Sequence, residues 1–243
     1  MKVEQQSPKA LAPSSPWIVF CDFDGTVTEG DVGNRFSDFF SSGRTRPIVQ
    51  RWLAGEITAR KCLEEECKLL DFDAAQFERF LAEQKMTPGV HEFVRLLEQQ
   101  GIPLFILSDG LDLYIGRLLA REGLGHIPIF VNRARIEGSR VIPEFPYFDQ
   151  GCGRCGNCKK YHIQRLRQPG QKVLFVGDGY SDRCAAEVAD LIFARGDFWH
   201  YCRERNITAV SFESFLDITT GVRTIFKAEV PVGSLREKKT VAL

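Results

Sequence analysis

The feature of this sequence that most constrains its fold is a set of short apolar segments, each followed at once by glycine and by acidic or hydroxyl residues. They are residues 17–21 ahead of Asp22, residues 103–107 ahead of Ser108, and residues 172–176 ahead of Gly177 and Asp178. Continuous apolar runs of this length, bounded by turn residues, are typical of strands buried on both faces of a parallel sheet. We therefore expect three strands whose polar ends lie together.

Helical patterns alternate with these strands along the chain. We predict helices over residues 31–40, 58–70, 73–84, 90–100, 111–122, 159–167, 181–188 and 198–205, a short strand at 191–193, and short strands joined by turns between 127 and 143. This alternation predicts an α/β fold with a Rossmann-like, doubly wound parallel sheet. Ligands of such sheets bind beyond the carboxyl ends of the strands, which is where the acidic residues follow.

The segment from 31 to 84 interrupts the alternation, because it has helical patterns and no strand pattern. We interpret it as an inserted helical domain, which leaves residues 17–30 and 85–227 as the core domain. Residues 1–16 are polar, contain three prolines and lack the apolar stretch of a signal peptide, so we expect a disordered lead-in. The charged residues 228–243 are expected to form a mobile tail.

The composition argues against two kinds of partner. The chain has 32 Lys and Arg residues against 32 Asp and Glu residues, so it lacks the excess positive charge expected of a nucleic-acid-binding protein. No apolar run approaches the roughly 20 residues needed to cross a bilayer. We therefore expect a cytoplasmic protein that binds neither nucleic acid nor membrane. The sequence specifies no oligomeric state.

Acidic residues at two strand ends indicate the chemistry of the site. Asp22 and Asp24 lie two residues apart, where a turn can direct them differently, so that one carboxylate attacks phosphorus while the other transfers protons. Asp178 and Asp182 come from a distant segment that ends at the same edge. Converging carboxylates without a clustered histidine are typical ligands of a hard cation, above all Mg²⁺.

Other polar residues at this edge can hold a phosphate group. The Ser108 hydroxyl, the Lys159 ammonium and the loop residues Asp109 and Gly110 would bind the phosphate oxygens. Each motif alone is ordinary, since an isolated Asp-x-Asp is usually a solvated turn and a single lysine is usually a surface charge. Their joint occurrence, in order along the chain, is what indicates a phosphate site.

These motifs strongly resemble those of the haloacid dehalogenase superfamily of phosphatases. The matching segments are Asp22-Phe23-Asp24-Gly25-Thr26, Ser108 after residues 104–107, a lysine ahead of the last motif, and Gly177-Asp178-Gly179-Tyr180-Ser181-Asp182. The resemblance covers residues 17 to about 218. It implies that the inserted helices form a small cap, as in phosphoserine-phosphatase-like members, which closes over small substrates and excludes water.

The resemblance implies roles for the first motif. Asp22 would be the nucleophile and a Mg²⁺ ligand. Asp24 would protonate the leaving oxygen, then activate water, and would lend its backbone carbonyl to the metal. An aspartate at position 24 favours a phosphatase over a dehalogenase or a phosphonate-cleaving enzyme.

It also implies roles for the later motifs. Ser108 and Lys159 would bind the transferring phosphoryl group. Asp178 would be a Mg²⁺ ligand, and Asp182 would support the metal site. We choose Lys159 rather than the adjacent Lys160 because it directly follows a cysteine, as in the related pattern.

Within the superfamily the sequence is most similar to the phosphatases of methionine salvage that act on 2-hydroxy-3-keto-5-methylthiopentenyl-1-phosphate. The similarity lies in residues 20–26, 132–134, 155–159 and 189–195. Residues 155–159 also resemble phosphocholine and phosphoethanolamine phosphatases. A phosphoserine phosphatase is a further alternative, in which Glu29 or Asp31 would replace the usual cap glutamate.

We therefore predict a Mg²⁺-dependent phosphomonoesterase that acts on a small phosphorylated metabolite through an aspartyl-phosphate intermediate. An alternative of another class is a non-catalytic metal-binding regulatory module. The intact set of acids argues against it, because a module without catalysis has no need of Asp24.

The eight cysteines form two groups. Cys21, Cys62, Cys67, Cys184 and Cys202 are scattered and are expected to be small buried apolar side chains. Cys152, Cys155 and Cys158 are clustered, and a zinc site would need a fourth ligand, for which His162 is a candidate. The cluster equally suits a glycine-rich loop that positions Lys159, in which two cysteines can pair on oxidation. We expect such a loop rather than a zinc site.

Overall fold

The computed structural model describes residues 15–228, except for the side chains of residues 227 and 228. Seven strands form one sheet in the order β4-β3-β2-β1-β5-β6-β7. Their bounds are β1 Trp17–Cys21, β2 Leu104–Leu111, β3 Ile129–Glu137, β4 Arg140–Glu144, β5 Lys172–Gly177, β6 Leu191–Ala194 and β7 Val210–Ser211. Neighbouring strands are parallel except β3 and β4, which form an antiparallel hairpin at one edge. The predicted α/β fold is confirmed.

Within residues 15–228 there are nine α-helices. Their bounds are α1 Val32–Ser41, α2 Arg46–Leu53, α3 Ala59–Cys67, α4 Ala74–Glu83, α5 Val90–Gln99, α6 Asp112–Arg121, α7 Lys159–Leu166, α8 Gly196–Glu204 and α9 Phe215–Ala228. In the same part of the chain, no helix combines the length and apolar character needed to cross a membrane.

Strand β1 lies in the middle of the sheet, and all five of its residues are buried. Trp17, Val19 and Cys21 belong to the core shared with α5, α6 and α9, whereas Ile18 and Phe20 belong to the core shared with α7 and α8. Helices therefore cover both faces of the strand, which is why its sequence is continuously apolar. This central position brings the end of β1 to the middle of the sheet's carboxyl edge.

Helices α1 to α4 form the segment between β1 and β2. The side chains of Asp31, Thr58 and Asp73 cap α1, α3 and α4 by accepting a backbone N–H of the first turn. Helix α2 was not predicted from the sequence, although Val49, Trp52 and Leu53 lie on one face of it; none of its residues is fully buried. The assignment of this segment as a separate cap domain stays a prediction.

The structure differs from the sequence prediction after β5. Residues 181–188 were expected to form a helix but make two short 3-10 turns, Tyr180–Asp182 and Ala185–Glu187. The reason is that Asp182 turns back and accepts the backbone N–H groups of Asp178 and Gly179, which fixes a tight loop. Helix α9 was also missed, although Phe215, Ile218 and Val222 bury one face of it in the core.

The predicted lead-in and tail fall almost wholly outside the described residues. Of the lead-in, Ser15 and Pro16 are described, and both contact the start of β5. The backbone N–H of Lys172 donates to the Pro16 carbonyl at 2.8 Å, and the Gln171 amide donates to the Ser15 carbonyl at 3.1 Å.

Candidate active site

The acids of two distant segments meet because β1 and β5 are parallel neighbours. Cys21 pairs with Val176 in the register, so the residues that follow both strands emerge side by side. One carboxylate oxygen from each of Asp22, Asp178 and Asp182 lies within 4.8 Å of the others. The structure thus brings together three of the acids predicted from the sequence.

Lys159, the first residue of α7, lies in the middle of these acids. Its Nζ is 2.5 Å from Asp22 Oδ1, 2.5 Å from Asp182 Oδ1 and 3.0 Å from Ser181 Oγ. Its side chain is fully buried. Burial alone lowers the pKa of Lys159, but the carboxylates of Asp182 and Asp22 outweigh that effect and raise it. The lysine therefore stays charged and partly offsets the repulsion among the acids.

The neighbouring Lys160 points elsewhere. Its Nζ pairs with Glu187 at 2.5 Å on the protein surface. Of the two adjacent lysines, only Lys159 reaches the acidic centre, as chosen from the sequence.

Asp24 is directed away from Asp22. Its Oδ1 accepts the backbone N–H of Gly33 at 2.9 Å, and its Oδ2 accepts the hydroxyls of Ser108 at 3.0 Å and Tyr114 at 3.2 Å. Burial, helped by the charge of Asp31, raises the pKa of Asp24 to about 7, although the three hydrogen bonds oppose the shift. Such a carboxyl group can both give and accept a proton near neutral pH.

The turn that follows Asp24 depends on a glycine. Gly25 has a φ of +77°, and a Cβ at this position would collide with the Asp178 carboxylate. Thr26 donates from its hydroxyl to Asp178 Oδ1 at 2.8 Å, and Arg195 donates from Nε to the Gly25 carbonyl at 2.9 Å. These two contacts fix the turn to Asp178, which follows β5, and to Arg195, which follows β6.

The second motif forms an irregular end of β2. The register with β3 shifts between Leu107 and Leu111, and the Ser108 hydroxyl accepts the N–H of Gly110 at 2.8 Å. The Asp109 carboxylate accepts the backbone N–H of Asn157, so it helps to hold the loop before α7. Burial raises the pKa of Asp109 to about 6, against the lowering effect of Lys159.

A cavity of about 460 Å³ opens over these residues. One wall consists of strand-end residues, and the other consists of residues from α1, α2 and α3. The helical wall is mainly apolar, with Phe36, Val49, Trp52, Leu53, Leu63 and Leu70. Among the described residues that line the cavity there is no lysine or arginine, since Lys159 lies behind the acids. The strand-end wall of the cavity is therefore acidic, and the helical wall is mainly apolar.

Sequence reasoning missed several residues of the site. Glu66 lines the cavity from α3, where burial raises its pKa to about 7. It lies on the same face of α3 as Cys62 and Leu63, so the spacing was available as a signal. The two proposed substitutes for a cap glutamate are both solvent-exposed, but only Asp31 is among the residues that line the cavity.

Tyr114 and Asn157 were missed for lack of a sequence signal. The Tyr114 hydroxyl binds Asp24 from α6. The Asn157 amide donates to the carbonyls of Ser108 at 2.9 Å and Phe130 at 2.7 Å, which joins the loop before α7 to two strand ends. Both contacts join residues far apart in the chain.

One expectation about the cysteines is wrong, and one candidate ligand is excluded. Cys184 is not an isolated buried side chain, because its sulfur lies with those of Cys152, Cys155 and Cys158. His162 does not join that group. Its Nε2 is 2.6 Å from Asn157 Oδ1, and burial lowers its pKa to about 3.

The donor chemistry of the acidic centre fits a hard divalent cation. Asp22, Asp178 and Asp182 offer carboxylate oxygens in a small volume, and their cluster includes no histidine or cysteine within the described residues. Oxygen donors of this kind are what Mg²⁺ requires. Lys159 supplies one positive charge against three carboxyl groups, so a cation would complete the charge balance of the site.

The fold and the site together define a hydrolase with an acidic centre at the carboxyl edge of a parallel sheet. The chain belongs to the family of haloacid dehalogenase-like hydrolases, whose model matches residues 19–187. This confirms the predicted enzyme class.

Individual relatives agree with the family. A 2-hydroxy-3-keto-5-methylthiopentenyl-1-phosphate phosphatase of Bacillus mycoides (strain KBAB4) is 28% identical over 218 residues, which are 87% of this chain and 98% of the relative. A solved phosphoserine phosphatase, in the form of a phospho-aspartyl intermediate analogue, has a TM-score of 0.68 at 18% identity and covers 85% of this chain and 99% of its own. A substrate-bound phosphoserine phosphatase gives a TM-score of 0.67 at 18% identity, covering 84% and 97%.

Proposed function

We propose that the protein is a Mg²⁺-dependent phosphomonoesterase that forms an aspartyl-phosphate on Asp22. The observation that carries this proposal is the divergence of two carboxyl groups at the end of β1. Asp22 faces Lys159 at 2.5 Å, whereas Asp24 is held by Ser108 and Tyr114 and has a pKa of about 7. One group is thus suited to attack and the other to proton transfer.

The proposed reaction has two steps. An Asp22 carboxylate oxygen attacks phosphorus, the bond to the ester oxygen breaks, and protonated Asp24 gives its proton to the leaving oxygen. Asp24 then takes a proton from a water molecule, whose oxygen attacks the aspartyl-phosphate and releases inorganic phosphate. Asp22 is regenerated, and Asp24 is protonated again. Lys159 and Ser108 would stabilise the charge on the phosphoryl oxygens.

The residues that would hold Mg²⁺ are Asp22, Asp178 and the backbone carbonyl of Asp24, with Asp182 in support. When bound, the cation would neutralise charge on the transferring phosphoryl group. Asp182 already accepts two backbone N–H groups and pairs with Lys159, which suits a supporting role rather than a primary one.

For the substrate we propose a small phosphorylated metabolite with an apolar end, of the methylthio-keto type used in methionine salvage. The cavity volume of about 460 Å³ is within the usual range for small ligands. The apolar residues Trp52, Leu53 and Leu63 face the strand ends from the helical wall. The Bacillus relative, at 28% identity over nearly its full length, points to the same substrate.

Phosphocholine or phosphoethanolamine is the second candidate. It is favoured by aromatic and acidic groups on the cavity wall. The rings of Trp52 and Tyr180 lie 5.2 Å apart, with Glu66 and Asp31 also in the lining, and such a set attracts a cationic head group. Phosphoserine is favoured less, because its carboxylate would find no lysine or arginine among the described lining residues.

We further propose that helices α1 to α4 act as the cap of a cytoplasmic enzyme. Because the cavity lies between α1, α2 and α3 on one side and the strand ends on the other, movement of the helical segment would open and close it. Closure would exclude water from the reacting groups.

Phosphate release from a substrate panel tests the proposal. The panel contains 2-hydroxy-3-keto-5-methylthiopentenyl-1-phosphate, phosphocholine, phosphoethanolamine and phosphoserine, each with Mg²⁺, with Ca²⁺ and with EDTA. We expect turnover with Mg²⁺, little with Ca²⁺, whose looser coordination misplaces the nucleophile, and none with EDTA. Hydrolysis that survives EDTA would contradict the metal requirement. Mg²⁺ binding without hydrolysis of any phosphoester would favour the non-catalytic alternative.

A further inference from the structure

A second cluster of ligating side chains lies outside the acidic centre. The sulfur atoms of Cys152, Cys155, Cys158 and Cys184 all lie within 4.8 Å of one another. Cys152 Sγ is 3.4 Å from Cys155 Sγ, which is in turn 3.9 Å from Cys184 Sγ. All four are free thiols. Four converging sulfurs from two separate chain segments require an explanation beyond a glycine-rich loop.

The spacing of these sulfurs is that of a tetrahedral metal site. A Zn–S bond of about 2.3 Å places neighbouring sulfurs of a tetrahedral Cys₄ site about 3.8 Å apart. The two measured separations lie on either side of that value. We propose that Cys152, Cys155, Cys158 and Cys184 bind one structural zinc ion as four thiolates.

The local chain is shaped for this ligand set. Gly153, between the first two cysteines, has a φ of +74°, so the chain can turn sharply between them. The backbone N–H of Cys155 donates to Cys152 Sγ at 3.4 Å, a contact that stabilises a thiolate. Cys152 is exposed at the loop surface and Cys158 is buried, so a bound ion would lie at the base of the loop, shielded on one side.

Histidine is excluded from this ligand set by its own contacts. His162 Nε2 is 2.6 Å from Asn157 Oδ1, and its ring stacks on Phe130 with centroids 4.7 Å apart. The fourth ligand is therefore Cys184, a residue 26 positions beyond Cys158 in the sequence. This set has four sulfur ligands and no open position, which is the composition of a structural zinc site.

The cluster lies next to two residues of the acidic centre, so a bound zinc ion would also affect their positions. Cys158 directly precedes Lys159, and Cys184 follows Asp182 by two residues. Lys159 Nζ and Asp182 Oδ1 are 2.5 Å apart, so the ion would join the two segments whose side chains form this buried pair. Zinc would act as a positioning device for Lys159 and would take no part in the reaction itself.

Metal analysis of full-length protein purified without chelators tests the zinc site. We expect one equivalent of zinc in the unchanged protein and in Cys202→Ala, a matched control at a buried cysteine outside the cluster. Zinc should be lost in Cys184→Ser and in Cys152→Ser. The second variant changes an exposed loop residue, so it remains informative when Cys184→Ser fails to fold. Asp178→Asn should keep its zinc, which separates this site from the acidic centre.

Two further measurements make the result decisive. Cobalt(II) substituted for zinc should give the absorption bands of tetrahedral thiolate coordination, and the four cysteines should resist alkylation until the metal is removed. Removing the metal should lower Tm by roughly 10 °C, since structural zinc contributes several kcal/mol of folding free energy. Zinc retained in both Cys→Ser variants, iron in place of zinc, or a disulfide among these cysteines in freshly purified protein would overturn the proposal. None of these outcomes depends on phosphatase activity.

Discussion

The two walls of the cavity are built in different ways. On the strand-end wall each functional side chain is held by several polar contacts: Asp24 accepts three hydrogen bonds, and Lys159, behind that wall, contacts three oxygen atoms. The helical wall is mainly apolar, and Trp52 reaches across to pack edge-on against Tyr180. Chemistry requires groups fixed within a fraction of an ångström, whereas recognition of an apolar group depends on shape. From this comparison we expect the strand-end wall to determine the reaction and the helical wall to select the substrate.

The largest expected effect is on the strand-end wall. Asp22→Asn should reduce kcat by at least about 10³-fold, because an amide cannot attack phosphorus and loss of a nucleophile is among the most severe single changes. Steady-state phosphate release measures this. Asp71→Asn, the same change at an exposed position, should be fully active. Substantial activity in Asp22→Asn with unchanged circular dichroism would remove Asp22 from the mechanism.

The two adjacent lysines offer an internal comparison, because only Lys159 reaches the acids of this wall. Lys159→Met should lower kcat by roughly 10²–10³-fold, the usual cost of removing one charge-stabilising donor. It should also reduce the free energy of unfolding by about 3–5 kcal/mol, because Asp22 and Asp182 lose their buried partner. Lys160→Met removes only an exposed ion pair, so we expect a change below about 1 kcal/mol and normal activity. Equal effects of the two variants would contradict the assignment of Lys159.

A smaller and more selective effect is expected from the helical wall. Trp52→Ala should reduce kcat/KM for the preferred metabolite by about 10-fold or more, which is the typical value of one lost apolar contact. A small generic phosphoester that does not reach this wall should be hydrolysed at nearly the same kcat. Leu216→Ala, an exposed apolar residue away from the cavity, serves as the control. A parallel loss on both substrates would show that the two walls are not separable.

The mildest effect on activity, and a clear pH dependence of stability, is expected at Glu66. Burial raises its pKa from 4.5 to about 7, so the folded protein binds this proton more tightly than the unfolded chain. Its stabilising contribution is complete below about pH 4.5 and is lost as pH rises through about 7. The stability of Glu66→Gln relative to the unchanged protein should therefore increase as pH rises from about 4.5 to about 7. At pH 8 the variant should be more stable by about 3 kcal/mol.

Thermal unfolding at pH 5 and pH 8 measures this difference. Glu83→Gln, the same change at the exposed end of α4, is the control. A constant difference between Glu66→Gln and the unchanged protein at both pH values would mean that Glu66 is already ionised in the fold.

The sequence alone determined the class of fold and which acids lie close together. Apolar runs buried on both faces identify parallel strands, and the acids directly after β1 and β5 must emerge at one edge because parallel strands share their direction. The caps Asp31, Thr58 and Asp73 fixed the starts of three helices through local hydrogen bonds. These inferences succeeded because each depends on a local pattern, either the apolar run of a buried strand or the capping residue of a helix.

The tertiary structure decided which individual side chains from distant parts of the chain contact one another. It directed Asp24 toward Ser108 and Tyr114, 84 and 90 positions away, and gave Asp182 a turn in place of the predicted helix. It also placed the Cys184 sulfur beside that of Cys155, 29 positions earlier in the chain. His162, which is closer in sequence, instead contacts Asn157. Spacing along the chain gives no measure of such distances, because burial and long-range hydrogen bonds, rather than periodicity, select which side chains meet.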